Sequence, residues 1–259
     1  MTDIVVFSSY GNDSLAVLQL LSEYRLPEQR HVSVLYSDTG WADEAWGARV
    51  DAAEEWAKGK GFHPDRTTAM GFEALARKRK TFPRGRLQFC TSELKIIPAQ
   101  KWLAENDPDC RALCVNGVRR AESLRRSTTP EFVPVSAAHG GRSLWSALAS
   151  FSDESRDALI ERTGFEVLPH RSMECSPCIF SNRADLRGVK SCTVDRIRDL
   201  ESDLGRTMFR PKGYAGAEGI DEVMRWAWSE RGQFKSYTAA EPTPETEDEP
   251  DCDSGFCGA

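Results

Sequence analysis

The stretch VVFSSYGNDSLAVLQLL, residues 5–21, decides the fold. Ile4 to Phe7 form a short apolar, β-branched run that predicts a strand, and from Leu15 the apolar positions Leu15, Val17, Leu18 and Leu21 recur at helical spacing. Between them lies a bend rich in serine and glycine. Such a turn aims the first amides of a helix at one point, where unpaired N–H groups and the positive end of the dipole favour an anion such as phosphate or sulfate. Gly11 can adopt backbone angles closed to other residues, Asp13 or Ser14 can cap the helix, and the hydroxyls of Ser8, Ser9 and Ser14 can add donors. An ordinary capped turn shares this local pattern, so the rest of the chain must decide between the two.

Working outward, strands are expected at 4–8, 31–37, 63–68 and 111–117, and helices at about 14–25, 43–59, 71–79 and 92–105. This alternation predicts an α/β fold: a doubly wound, mostly parallel sheet with helices on both faces, and ligands outside the carboxyl ends of its strands. SSYGNDS, SDTG and NGVRR all fall at such ends. After residue 135 the regularity fades into SAAHGGRS, two helices expected near 144–150 and 153–163, a Cys-bearing loop, and helices near 193–204 and 218–230. The expected organisation is a nucleotide-binding core over 1–135, a helical, cysteine-bearing C-terminal region over 136–237 and an acidic tail over 238–259.

The net charge of −6 is concentrated in the tail, since EPTPETEDEPDCDSGFCGA holds seven acidic residues and no Lys or Arg. Without it, 34 basic residues face 33 acidic ones. No apolar run approaches the length of a membrane span and no signal-peptide pattern opens the chain, so a cytoplasmic protein with no membrane partner is expected. In that compartment eight cysteines argue for metal, cluster or redox use of some of them rather than a disulfide framework. Cys110 and Cys114, in CRALCVNGV, are expected to be buried core thiols.

Ser9-Tyr10-Gly11-Asn12-Asp13-Ser14 matches neither GxGxxG nor GxxxxGK followed by Ser or Thr. It resembles the Ser-Gly-Gly-x-Asp-Ser pyrophosphate-binding PP-loop of the adenine nucleotide alpha-hydrolase-like superfamily, with Tyr10 in place of the first glycine. LYSDTGWADEAW, FCTSELKIIP, NGVRRAESLRRS and ECSPCIF, in that order, are similar to segments of one branch, the phosphoadenylyl-sulfate (PAPS) and adenylyl-sulfate (APS) reductase family, over roughly residues 4–190. The resemblance implies a nucleotide site built from Ser8, Ser9, Gly11, Asn12, Asp13, Ser14, Asp38, Lys95, Arg119 and Arg125. There Asp38 can accept from a ribose hydroxyl or simply cap its turn, and Lys95, Arg119 and Arg125 can neutralise phosphate or sulfate oxygens. Glu122 reads as a carboxylate that orients Arg119 or Arg125. Tyr10 is expected to narrow the loop or to change which phosphates it cradles.

Cys175-x-x-Cys178 can grip one metal ion or one corner of a cluster, and Cys90 precedes Cys175 by 85 positions, similar to cluster-bearing APS reductases. With Cys192 as the fourth ligand this gives a 4Fe-4S set of Cys90, Cys175, Cys178 and Cys192; zinc on the same ligands is the main rival and a redox dithiol at 175 and 178 the third reading. Reductases of this family carry a nucleophilic cysteine on a C-terminal segment, which implies Cys257 as nucleophile and Cys252 as resolving thiol, although only Cys-Gly of their Glu-Cys-Gly-Leu-His pattern is present. The substrate is then APS or PAPS, with a thioredoxin or glutaredoxin-type reductant as partner. The run ARKRKTFPRGRLQFC reads as a loop over a polyanionic nucleotide, as a contact for a nucleic acid acceptor, or as a solvated helix end. Two alternatives stay open: an ATP-using PP-loop enzyme that adenylates an acceptor for sulfur insertion, and a non-catalytic nucleotide-binding module.

Overall fold

The computed structural model describes residues 2–24, 30–85, 87–209 and 219–229. Over the described residues the chain forms two compact units, one of residues 2–72 and 89–175 and the other of 73–88 and 176–229.

The first unit is built on a six-stranded sheet in the order β3-β2-β1-β4-β6-β5. Its strands are β1 (Ile4–Phe7), β2 (Val32–Asp38), β3 (His63–Thr68), β4 (Leu113–Asn116), β5 (Phe132–Ser136) and β6 (Arg142–Ser146). All pair in parallel except β5, which runs antiparallel to β6 at the edge. Its helices are α1 (Asn12–Glu23), α2 (Trp46–Gly59), α4 (Phe89–Thr91), α5 (Ile97–Asn106) and α6 (Asp153–Glu161), with a π-helical turn, Ser92–Ile96, between α4 and α5, and only Phe72 of α3 (Phe72–Arg79) belongs to this unit. Strand residues alternate between two cores, as a pleated sheet covered on both faces requires. Ile4, Val6 and Val34 pack with Leu15, Leu18, Val50, Ala53 and Ile160 from α1, α2 and α6, while Val5, Phe7 and Leu35 pack with Ala99, Trp102 and Leu103 from α5.

Two expectations fail at this level. Residues 144–150 are not a helix, because Leu144 and Trp145 lie in β6, paired to β4 on one side and β5 on the other. Cys114 is buried in β4, which raises its thiol to about 12, but Cys110 is exposed at a left-handed turn with φ of 55°.

The second unit holds most of α3 together with α7 (Arg183–Arg187), α8 (Ser191–Leu204) and α9 (Gly219–Trp228). Ile197, Leu200, Ile220, Val223 and Ala227 are buried, and the Glu201 carboxylate accepts from the amides of Met208 and Ile220 at 2.7 and 2.9 Å. Arg183 and Arg187 both donate to the Ala227 carbonyl, at 2.8 and 2.6 Å, satisfying the end of α9.

Candidate active site

Strand order reverses at β1, whose neighbours β2 and β4 lead to opposite halves of the sheet, and a doubly wound sheet binds its ligand at that switch. The loop after β1 sits there. Its left-handed residue is Tyr10, with φ of 57°, whereas Gly11 is extended, with φ of −76°. The Tyr10 ring is fully buried in the core against Tyr36, centroids 5.8 Å apart.

Neither Asp13 nor Ser14 caps α1; Gly11 is the cap and both lie inside the helix. Serine hydroxyls instead take the loop amides: Ser9 N–H donates to Ser14 Oγ at 3.1 Å, Tyr10 N–H to Ser8 Oγ at 3.1 Å and Gly11 N–H to Ser9 Oγ at 3.3 Å. A hydroxyl that accepts from an amide keeps its own hydrogen to donate; Ser9 Oγ and Ser14 Oγ lie 3.2 Å apart and spend one of their hydrogens on each other, so the three serines leave two O–H groups for an anion. Asn12 turns away from the loop: its side-chain amide donates to the Leu168 carbonyl at 2.9 Å and its Oδ1 accepts from the Leu168 N–H at 3.0 Å.

Arg119, after β4, reaches the start of α1. It is 3% exposed; its Nε donates to Asp13 Oδ1 and its Nη2 pairs with Asp153 at 2.9 Å. Its Nη1 is buried with no hydrogen-bond partner. Burial pushes the Asp13 carboxyl above its ordinary range while Arg119 pulls it down. The approach is close because residue 117 is glycine: a Cβ there would stand 3.1 Å from the Asp13 backbone. Glu122 accepts from the Arg119 N–H at 3.3 Å and pairs with Arg126, one residue beyond the expected Arg125, which is exposed.

At the end of β2, Asp38 Oδ1 accepts from the Gly40 amide at 2.9 Å, the turn-capping alternative for this residue. Thr39 Oγ1 donates to the Glu174 carbonyl at 2.7 Å, and Cys175 Sγ lies 3.4 Å from Thr39 Oγ1. Lys95, buried in the π-helical turn, donates to the Glu174 carboxylate at 2.5 Å. π-Helical turns recur at functional sites because they re-aim one side chain within a helix. Glu174 was not singled out in the sequence; its place beside Cys175 in ECSPC is the one signal that marks it.

Cys90 and Cys175 belong to the first unit and Cys178 and Cys192 to the second, with Cys192 exposed at the start of α8. Among the described residues no three His, Cys, Asp or Glu side chains are grouped to hold a metal ion. Cys252 and Cys257 lie outside the described residues.

Residues 3–168 match the model of the phosphoadenosine phosphosulfate reductase domain. The chain belongs to this family. No curated protein sequence matches it. Solved structures of similar fold include phosphoadenylyl-sulfate (PAPS) reductase from Candida auris in a phosphate complex, at 15% identity and a TM-score of 0.44, covering 64% of this chain and 73% of that one. Another is the U34-tRNA thiolase NcsA from Methanococcus maripaludis with its 4Fe-4S cluster, at 14% identity and a TM-score of 0.46, covering 87% and 71%. The family match takes in the serine loop, Asp38, Lys95, Arg119 and Arg125 and stops before the four residues 175–178 that carry the Cys-x-x-Cys pair. Among the described residues no helix is long and apolar enough to cross a membrane.

Proposed function

We propose that the chain binds an adenylyl-sulfate nucleotide at the carboxyl ends of β1, β2 and β4 and reduces it to sulfite by thiol chemistry. The observation that carries this reading is the buried Arg119 guanidinium, held by Asp13 and Asp153 with Nη1 left for a ligand oxygen, beside three serine hydroxyls of which two keep a donor for an anion. Asp13 keeps the guanidinium in plane at the helix terminus, and Lys95, neutralised by Glu174, holds the SDTG turn through the Glu174 carbonyl.

The Cys257 thiolate attacks the sulfonyl sulfur, forming an S–S bond and breaking the S–O bond to the phosphate, whose electron pair leaves with AMP or its 3′-phosphorylated form. A second thiol, Cys252 or one from a thioredoxin-type reductant, then attacks the Cys257 sulfur, releasing sulfite and leaving a disulfide, so two thiols supply the two electrons. The test is incubation of anaerobically purified protein with APS, PAPS or ATP plus thioredoxin, with sulfite and pyrophosphate assayed and iron, sulfide and zinc counted. Sulfite that disappears in Cys257→Ser supports the reduction and its nucleophile. Pyrophosphate from ATP without sulfite overturns it in favour of acceptor adenylation, a reading that the exposed cations Arg77, Lys78, Arg79 and Lys80 of the second unit favour as a contact for a nucleic acid acceptor. Four iron atoms per chain support the cluster on Cys90, Cys175, Cys178 and Cys192; one zinc supports its rival.

A further inference from the structure

Tyr10 occupies a left-handed conformation that non-glycine residues adopt only at a cost, in the one loop whose amides must be correctly aimed. Something must hold it there. The buried ring supplies part of the hold, but a ring fixes the side chain and leaves the peptide that follows free to rotate. The Tyr10 carbonyl accepts a hydrogen bond of 2.9 Å from Nε of Arg49, which comes from the first turn of α2, 39 residues away in sequence. The Arg49 guanidinium is itself wedged between aromatic faces, 5.6 Å from the Trp46 ring centroid and 5.5 Å from that of Phe165. Its Nη2 is buried without a hydrogen-bond partner, a penalty that marks the group as held for a purpose other than its own solvation. The Tyr10 carbonyl and the Gly11 amide belong to one peptide plane, so fixing the carbonyl toward Arg49 fixes the N–H in the opposite direction, toward the loop's own Ser9 Oγ.

We propose that Arg49 is a positioning residue for the phosphate-binding loop: a strut from α2 that locks the Tyr10–Gly11 peptide and so lets a tyrosine stand where a glycine would otherwise be needed. The inference rests on the nucleotide reading only for its ligand-binding arm. With Arg49→Met the stem and its packing stay while the donor to Tyr10 is lost, so the peptide gains a second orientation.

The experiment uses the full chain. Hydrogen exchange at the amides of residues 11–14 is measured without ligand, and binding of AMP and of adenosine is titrated separately, in wild type, Arg49→Met and Arg49→Met combined with Tyr10→Gly. Arg49→Met is expected to raise exchange at these amides and to weaken AMP about tenfold, the cost of a left-handed non-glycine residue, with adenosine binding unchanged. Glycine at position 10 takes the left-handed conformation without help and is expected to restore AMP binding in the double variant. Unchanged exchange in Arg49→Met, or equal losses for AMP and adenosine, or no recovery with Tyr10→Gly, overturns the strut. If wild type binds no adenine nucleotide, the nucleotide reading fails while the exchange measurement still decides the role of Arg49.

Discussion

Tyr10 carries a second lesson besides its backbone. Its hydroxyl is buried with no hydrogen-bond partner, and an unmade bond of this kind costs about 1–3 kcal/mol. Tyr10→Phe is therefore expected to stabilise the protein by about 1 kcal/mol in urea unfolding; a loss of stability would show that the hydroxyl is bonded in solution. Against Phe7, ring centroids 5.3 Å apart, burial pushes the His139 imidazole down to about 4, with Arg142 adding to the effect. The unfolded chain takes up a proton near 6.5 that the folded chain refuses, so this stability is present above pH 6.5 and is lost as the pH falls toward 4, by roughly 3 kcal/mol in all. His139→Gln should shrink the difference between urea midpoints at pH 7 and 4.5, and an unchanged difference would place the acid sensitivity elsewhere.

At the scale of elements, the approach of the segment after β4 to the start of α1 depends on a contact too close for an unstrained side chain. Gly117 lets the end of β4 lie against Asp13, and Gly117→Ala would put a methyl 3.1 Å from the Asp13 main chain. Crowding of this kind costs about 1–3 kcal/mol, and because it separates Arg119 from Asp13 it should also weaken AMP binding; calorimetric titration beside a thermal melt reads both. Most elements were legible in the sequence: β1 to β4 as short runs between turns, and α1, α2, α3, α5, α6, α8 and α9 from apolar residues at helical spacing. β6 was misread because Leu144, Trp145, Ala147 and Leu148 fall at spacings a helix also satisfies, and only pairing to β4 and β5 settles them as strand and turn. β5 escaped because Pro134 interrupts a five-residue run, a residue that an edge strand accepts and a central one would not. Nothing in local propensity announces a π-helical turn or a left-handed tyrosine, since both are imposed by packing against residues far along the chain. Gly11 drew the left-handed expectation only because glycine permits it.

Over the whole chain, the formal charge of −6 belongs to residues 241–259, leaving a near-neutral body to hold the nucleotide loop. A chain ending at residue 237 is accordingly expected to bind AMP as the full chain does, while the sulfite released by the full chain falls to background. Sulfite release that survives this truncation would remove Cys252 and Cys257 from the reaction. The order of motifs along the chain pointed to the loops after β1, β2 and β4 but not to their wiring: Asn12–Leu168, Arg49–Tyr10 and Lys95–Glu174 join positions 156, 39 and 79 residues apart, which no local pattern reports.

Three of the long-range joins share a property. Asn12 grips the N–H and carbonyl of Leu168, the Asp43 amide donates to the Met173 carbonyl, and Thr39 donates to the Glu174 carbonyl. Each reads main chain on the 168–174 side, so these bonds are blind to which residues that segment carries. Lineages can rewrite it letter by letter and keep the hooks, whereas inserting or deleting a single residue between 168 and 173 would throw them out of step. Divergence there should be written in substitutions rather than in length.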